Sequence, residues 1–147
     1  MTTIAVIDFE TTGMSPTMGD RATEVAIVLI EDGQVVDRFQ SLMNAGVRVN
    51  SFITQLTGIT NEMLQAAPSA KQVMREAARF VDGRTLAALH QLPPAGRAHL
   101  AMADAEVAAS LLLHMQHDLK TRHGCIAPDP ALLMGLQRTS RHLVGGY

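Results

Sequence analysis

The chain has 147 residues, 47% hydrophobic and 18% charged, with a net charge of −2. That is one domain's length with enough apolar residues for a core, so a compositionally disordered chain is excluded, and the absence of a global positive field weighs against a purely electrostatic nucleic-acid binder. The lone Cys125 excludes an internal disulfide framework and fits a reducing cytoplasm; no signal-peptide pattern and no apolar run of about 20 residues points to a membrane.

The first run, TIAVIDFE (3–10), is apolar at both alternations and reads as a central strand. Residues 23–43 read as two strands around Asp32-Gly33, since Asp-Gly between β-rich runs is a strong hairpin signal. TQLTGITNEML (54–64) reads as a loop entering a short helix at Thr60. Ser69 with Gln72 three residues on predicts a capping box opening a helix that runs to about Asp82. Val73, Ala77, Phe80 and Val81 face inward on it, and Gly83 stops it. RTLAALHQL (84–92) suggests about two helical turns from Leu86, Leu89 and Leu92, with a short strand as the alternative. A long helix follows from about Leu100 to Lys120, its inward stripe Ala101, Ala105, Ala108, Leu112, Met115 and Leu119. Asp129 and Pro130 open a last short helix, and the tail from about residue 139 frays. The expectation is a single α/β domain over residues 1–147, with an antiparallel meander of three strands in a mixed sheet covered by helices.

The chemistry concentrates at the end of the first strand. Side chains at i and i+2 of a strand share a face, so Asp8 and Glu10 stand side by side. Two carboxylates this close repel, and a bound hard cation such as Mg²⁺ or Mn²⁺ resolves the conflict. Alone, the pair also fits a solvated strand end that binds nothing. Thr11, Thr12 and Gly13 follow at once, and a glycine turn there offers backbone N–H groups to an anion. A second constellation, HLAMADAEVAA (99–109), opens the long helix with His99 and Asp104 among small alanines. His114 and His117 read as solvated, the remaining histidines carry no pattern, and KTRHG (120–124) reads as a solvated helix end.

Taken together, D-x-E-T-T-G closing the first strand and H-x-A-x-x-D-A opening a late helix resemble the DEDD superfamily of 3′–5′ exonucleases, in its histidine-bearing DEDDh branch. Residues 19–44, 53–60 and 92–115 resemble other blocks of that family in the same order, so nearly the whole chain is covered. The resemblance implies a ribonuclease-H-like fold and metal-dependent hydrolysis at nucleic-acid 3′ ends, on single-stranded DNA or RNA, with two Mg²⁺ or Mn²⁺ ions. It implies Asp8, Glu10 and Asp104 as metal ligands and His99 as general base. Thr11, Thr12 and Gly13 would line the pocket for the terminal nucleotide.

One block of the pattern is missing. The family's middle motif, H-N-x-x-F-D, occurs nowhere, as though a segment near Leu86–Ala87 had been deleted together with a strand and a covering helix. Asp82 is the nearest acidic residue but does not match that motif. The resemblance then implies a metal site short of one carboxylate, and a sheet edge that a homodimer could cover. Two readings stay open: an exonuclease of weak or lost activity, and a non-catalytic module binding nucleic acid, a nucleotide or a protein.

Overall fold

The structure, a computed structural model, describes residues 3–88, 101–122, 124 and 131. Among the described residues, four strands form one mixed sheet: β1 (Ile4–Thr11), β2 (Ala22–Glu31), β3 (Gln34–Leu42) and β4 (Thr85–Ala87), in the order β3-β2-β1-β4. The first three make the expected antiparallel meander, and β4 lies parallel to β1. Asp32 and Gly33 form the two-residue turn between β2 and β3, both with positive φ (49° and 78°), the geometry that favours Asp-Gly there. β1 is central as expected, between β2 and β4, and Ile4, Ala5 and Val6 bury both of its faces, whereas Phe9 near its end is 37% exposed.

Alternation sorts the side chains onto two faces. Ile4 and Val6 of β1 and Ala26, Val28 and Ile30 of β2 pack against α4 (Ala101–Arg122) through Ala101, Ala105, Ala108 and Ala109. Ala5, Val25, Ile27 and Leu29 point the other way, against Val73 and Ala77 of α3 (Ala70–Phe80). Phe39 and Phe80 extend that second layer, their ring centroids 5.5 Å apart. Two shorter helices, α1 (Ser51–Thr57) and α2 (Asn61–Ala66), precede α3 and enclose a satellite cluster of Val49, Ile59 and Leu64. This mixed sheet with helices on both faces is consistent with a ribonuclease-H-like fold that lacks some of its elements.

Several expectations are corrected. The segment read as a loop from Thr54 is mostly α1, capped by the Asn50 side chain and closed by Gly58 in the left-handed conformation. Thr60 does cap α2 as expected, accepting from the Met63 N–H. Ser69 caps α3, but Gln72 bonds Glu76 at 3.1 Å instead of reaching back, so only half of the capping box forms. That helix stops at Phe80 rather than Asp82. Residues 85–87 are a strand, not helical turns: the register pairs Ile4, Ala5 and Val6 with Thr85, Leu86 and Ala87, and pairing with an existing strand outweighs a weak local helix signal. Residues 89–92, Pro93-Pro94 and the last short helix fall largely outside the described residues. On α4, Met115 is 47% exposed: the buried alanine stripe ends at Ala109, and beyond it Leu112 and Leu113 pack only partly buried against the sheet core.

Candidate metal centre

Two elements build the site. β1 carries Asp8 and Glu10 on its α4-facing side, the same alternation as Ile4 and Val6. α4 brings Asp104 in its first turn, and the flanking residues Ala101 and Ala105 are fully buried against the sheet. Their lack of any side chain beyond Cβ lets the helix approach closely enough for its carboxylate to reach the strand's pair. One carboxylate oxygen from each of Asp8, Glu10 and Asp104 lies within 4.8 Å of the others. Arg38 of β3 and Glu106 of α4 also form an ion pair, at 2.7 Å. Both side chains are about half exposed, so that pair holds the helix far less than the alanine face does.

The electrostatics of the cluster are costly without a counter-charge. Burial, and then the charges of Asp8, Asp104 and Glu24, push the Glu10 carboxyl up from 4.5 to about 8. Glu10 is 8% exposed, so it can shed little of this repulsion into solvent. Three converging carboxylates with hard oxygen donors, joined by no thiol or imidazole among the described residues, fit Mg²⁺ or Mn²⁺. His99 lies outside the described residues. His114 and His117 are exposed, as read from the sequence, and the His114 ring pairs with the Ser110 carbonyl of its own helix.

The loop after β1 differs from the expected open anion turn. Two of its donors, the Thr12 hydroxyl and the Ser15 N–H, are engaged by Asp20. The Thr12 hydroxyl donates to Asp20 Oδ1 at 3.0 Å and the Ser15 N–H to Oδ2 at 2.9 Å. Thr12 also accepts from the Arg21 N–H, and Thr11 donates to the Gly13 carbonyl at 2.7 Å. Gly13 is not in the left-handed region; a Cβ there would meet Asp20 Oδ2 at 2.4 Å. The glycine is required by that carboxylate, and the loop is rigidly tied beside the site.

Sequence reasoning passed over Asp20, Gln40 and Glu24. Only Glu24 left a signal, an acidic residue just ahead of the apolar run Val25–Ile30 of β2. In the structure it pairs directly with Glu10 across the β1–β2 ladder, one step before a bulge at Glu10/Thr11.

A family model described as Exonuclease (RNase T) matches residues 5–94. The chain belongs to this exonuclease family. Within it, a 3′–5′ exonuclease DinG of Bacillus subtilis is 42% identical over 78 residues, which is 53% of this chain and 8% of that protein. A DNA polymerase III subunit epsilon-like protein of Rhodobacter capsulatus is 38% identical over 93 residues, 62% of this chain and 13% of that protein. The chain thus spans a small fraction of the length of these curated relatives. Among solved structures, the nuclease domain of 3′hExo, a DEDDh family member bound to rAMP, superposes with a TM-score of 0.66 at 18% identity, covering 79% of this chain and 92% of that one. A full-length 3′-exonuclease gives a TM-score of 0.68 at 17% identity, covering 79% and 60%. These superpositions show that the chain shares the fold of those exonuclease structures. No described helix is long and apolar enough to cross a membrane.

Proposed function

We propose that the chain is a metal-dependent 3′–5′ exonuclease domain of the DEDDh type, acting slowly on single-stranded DNA or RNA ends. The observation that carries this reading is the convergence of Asp8, Glu10 and Asp104 from two different elements onto one point. Isolated acidic residues at a solvated strand end need no third carboxylate brought in by a helix 94 positions later in the chain than Glu10. Asp8, Glu10 and Asp104 would hold Mg²⁺ or Mn²⁺. Bound there, divalent cations stabilise negative charge on the attacking and leaving oxygens of a phosphodiester. His99 would accept the proton of the attacking water, a task suited to an imidazole near neutral pH. Thr11, Thr12 and Gly13 would act through their backbone and through the shape of the tied loop, since both threonine hydroxyls already have partners inside it.

The slow turnover follows from the absent H-N-x-x-F-D motif. We read the stretch after β4 as the scar of an internal deletion that removed the family's remaining carboxylate. Asp82, on the turn after α3, is exposed and is not part of the carboxylate cluster. The same absence supports the second reading, a domain that binds a nucleic-acid end without cutting it.

An end-labelled single-stranded oligonucleotide with Mn²⁺ separates the two. Stepwise shortening from the 3′ end, abolished in both Asp8→Ala and His99→Ala, supports the exonuclease. Intact substrate that is nevertheless retained by folded, Mn²⁺-loaded protein supports the binding module.

A further inference from the structure

Glu24 is an expensive residue for the fold. It is 5% exposed, inside a strand whose neighbours on the same face are Ala26, Val28 and Ile30. Its Oε1 accepts from Gln40 Nε2 of β3 at 2.7 Å, while its Oε2 is buried with no hydrogen-bond partner. A buried carboxylate oxygen left unsatisfied costs free energy unless something charged answers it. The register places Glu24 directly across from Glu10, which makes the pair a like-charge couple on the face that also carries Asp8. Directly opposed like charges in a ladder destabilise it.

Resting on the metal-site reading above, we propose that Glu24 stands behind the cation site, outside the Asp8–Glu10–Asp104 cluster, as a positioning residue that holds Glu10 in its ligand position and adds to the field attracting a divalent cation. Gln40 anchors Glu24 from the β3 side, so the charge is fixed on the far side of Glu10 from β4. The Glu10 carboxylate cannot relax toward β2 without approaching that charge. It is directed to Asp8 and Asp104, where one oxygen of each already gathers. The cation then offsets the repulsion among all four groups. Glu24 enters from β2, unlike the carboxylate of the absent middle motif, and nothing in the D-x-E-T-T-G pattern assigns it.

The test is Mn²⁺ binding to the full chain without nucleic acid, followed by electron paramagnetic resonance, alongside the metal-free melting temperature. The variants are Glu24→Gln, Gln40→Ala and Asp8→Asn. Glu24→Gln keeps the shape and the acceptor for Gln40 but removes the charge. At about pH 9, above the range in which Glu10 holds its proton, it should melt higher than wild type without metal, yet bind Mn²⁺ about tenfold or more weakly, the scale on which residues behind metal ligands act. Gln40→Ala, at an exposed position, keeps the charge but loses the anchor, and its affinity should fall between the two. A merely structural Glu24 predicts the opposite pattern: a lower metal-free melting temperature in Glu24→Gln with Mn²⁺ affinity intact. That result overturns the proposal, as does unchanged affinity in both Glu24→Gln and Gln40→Ala while Asp8→Asn abolishes binding. If wild type binds no Mn²⁺, the metal-site reading falls and this inference falls with it.

Discussion

Gly13 stands so close to Asp20 that a Cβ on residue 13 would lie 2.4 Å from Oδ2 of that carboxylate. Asp20 in turn ties together Thr12 and Ser15, so the loop leaving β1 is organised around one side chain. Gly13→Ala must therefore displace Asp20 or the loop, and such overpacking typically costs about 1–3 kcal/mol. Urea denaturation should show a loss in that range. The clash is with the side chain alone, so Gly13→Ala combined with Asp20→Ala should cost less than the sum of the two single changes. Strict additivity would show that residue 13 and Asp20 are not coupled.

The raised proton affinity of Glu10 gives the metal-free protein a definite pH dependence. Glu10 holds its proton to about pH 8 in the folded state against 4.5 otherwise, so the unfolded chain releases it first. The folded state then binds more protons than the unfolded one across that window, and stability falls as pH rises from about 4.5 to about 8. Below the window the residue is neutral in both states and contributes nothing. Glu10→Gln should remove this component: the urea midpoint of the variant should exceed that of wild type at about pH 8, and the gap should close towards about pH 4. A gap independent of pH would mean that Glu10 is not the titrating group.

A divalent cation reverses that sign, because it binds the ionised carboxylates. Mn²⁺ should raise the melting temperature of wild type, and more at about pH 8 than at about pH 6. Binding near pH 7 should release a proton, seen as a calorimetric enthalpy that varies with the ionisation heat of the buffer. Asp8→Asn and Asp104→Asn should each weaken Mn²⁺ binding at least about tenfold, since each removes a direct ligand candidate. Equal Mn²⁺ stabilisation in wild type and both variants would place the cation elsewhere.

What could be read in advance divides along the range of the forces involved. β1, the Asp-Gly hairpin and α3 are legible because local pattern and tertiary burial agree: Val73 and Ala77 are the buried residues of the predicted stripe. β4 is three residues long and exists through its pairing with β1, so its own sequence carries almost no signal. Asp8 and Glu10 are visible as a pair because a strand's two-residue period places them on one face. Asp104 needs the family resemblance, since an acidic residue in a first helical turn is ordinary on its own. Glu24 could not be placed from the sequence, because facing Glu10 depends on the β1–β2 register and on the bulge next to it.

The alanine face of α4 is the link between packing and chemistry, and Ala105 tests it. Ala105 is fully buried next to Asp104, against the sheet whose strand β1 carries Asp8 and Glu10. Leucine at this position cannot be accommodated without pushing the helix off the sheet or distorting neighbouring rotamers, at a cost of about 1–3 kcal/mol. The same displacement moves Asp104 away from a cluster whose oxygens now lie within 4.8 Å. Ala105→Leu should therefore lose both stability and Mn²⁺-induced stabilisation. Glu106→Ala, one residue on, removes only an exposed ion pair and should change stability by less than about 1 kcal/mol, with Mn²⁺ binding intact. Paired melting curves with and without Mn²⁺ check both variants. An Ala105→Leu protein that is destabilised yet gains as much from Mn²⁺ as wild type would show that the close approach of α4 serves the core alone, and that the carboxylate cluster tolerates a displaced helix.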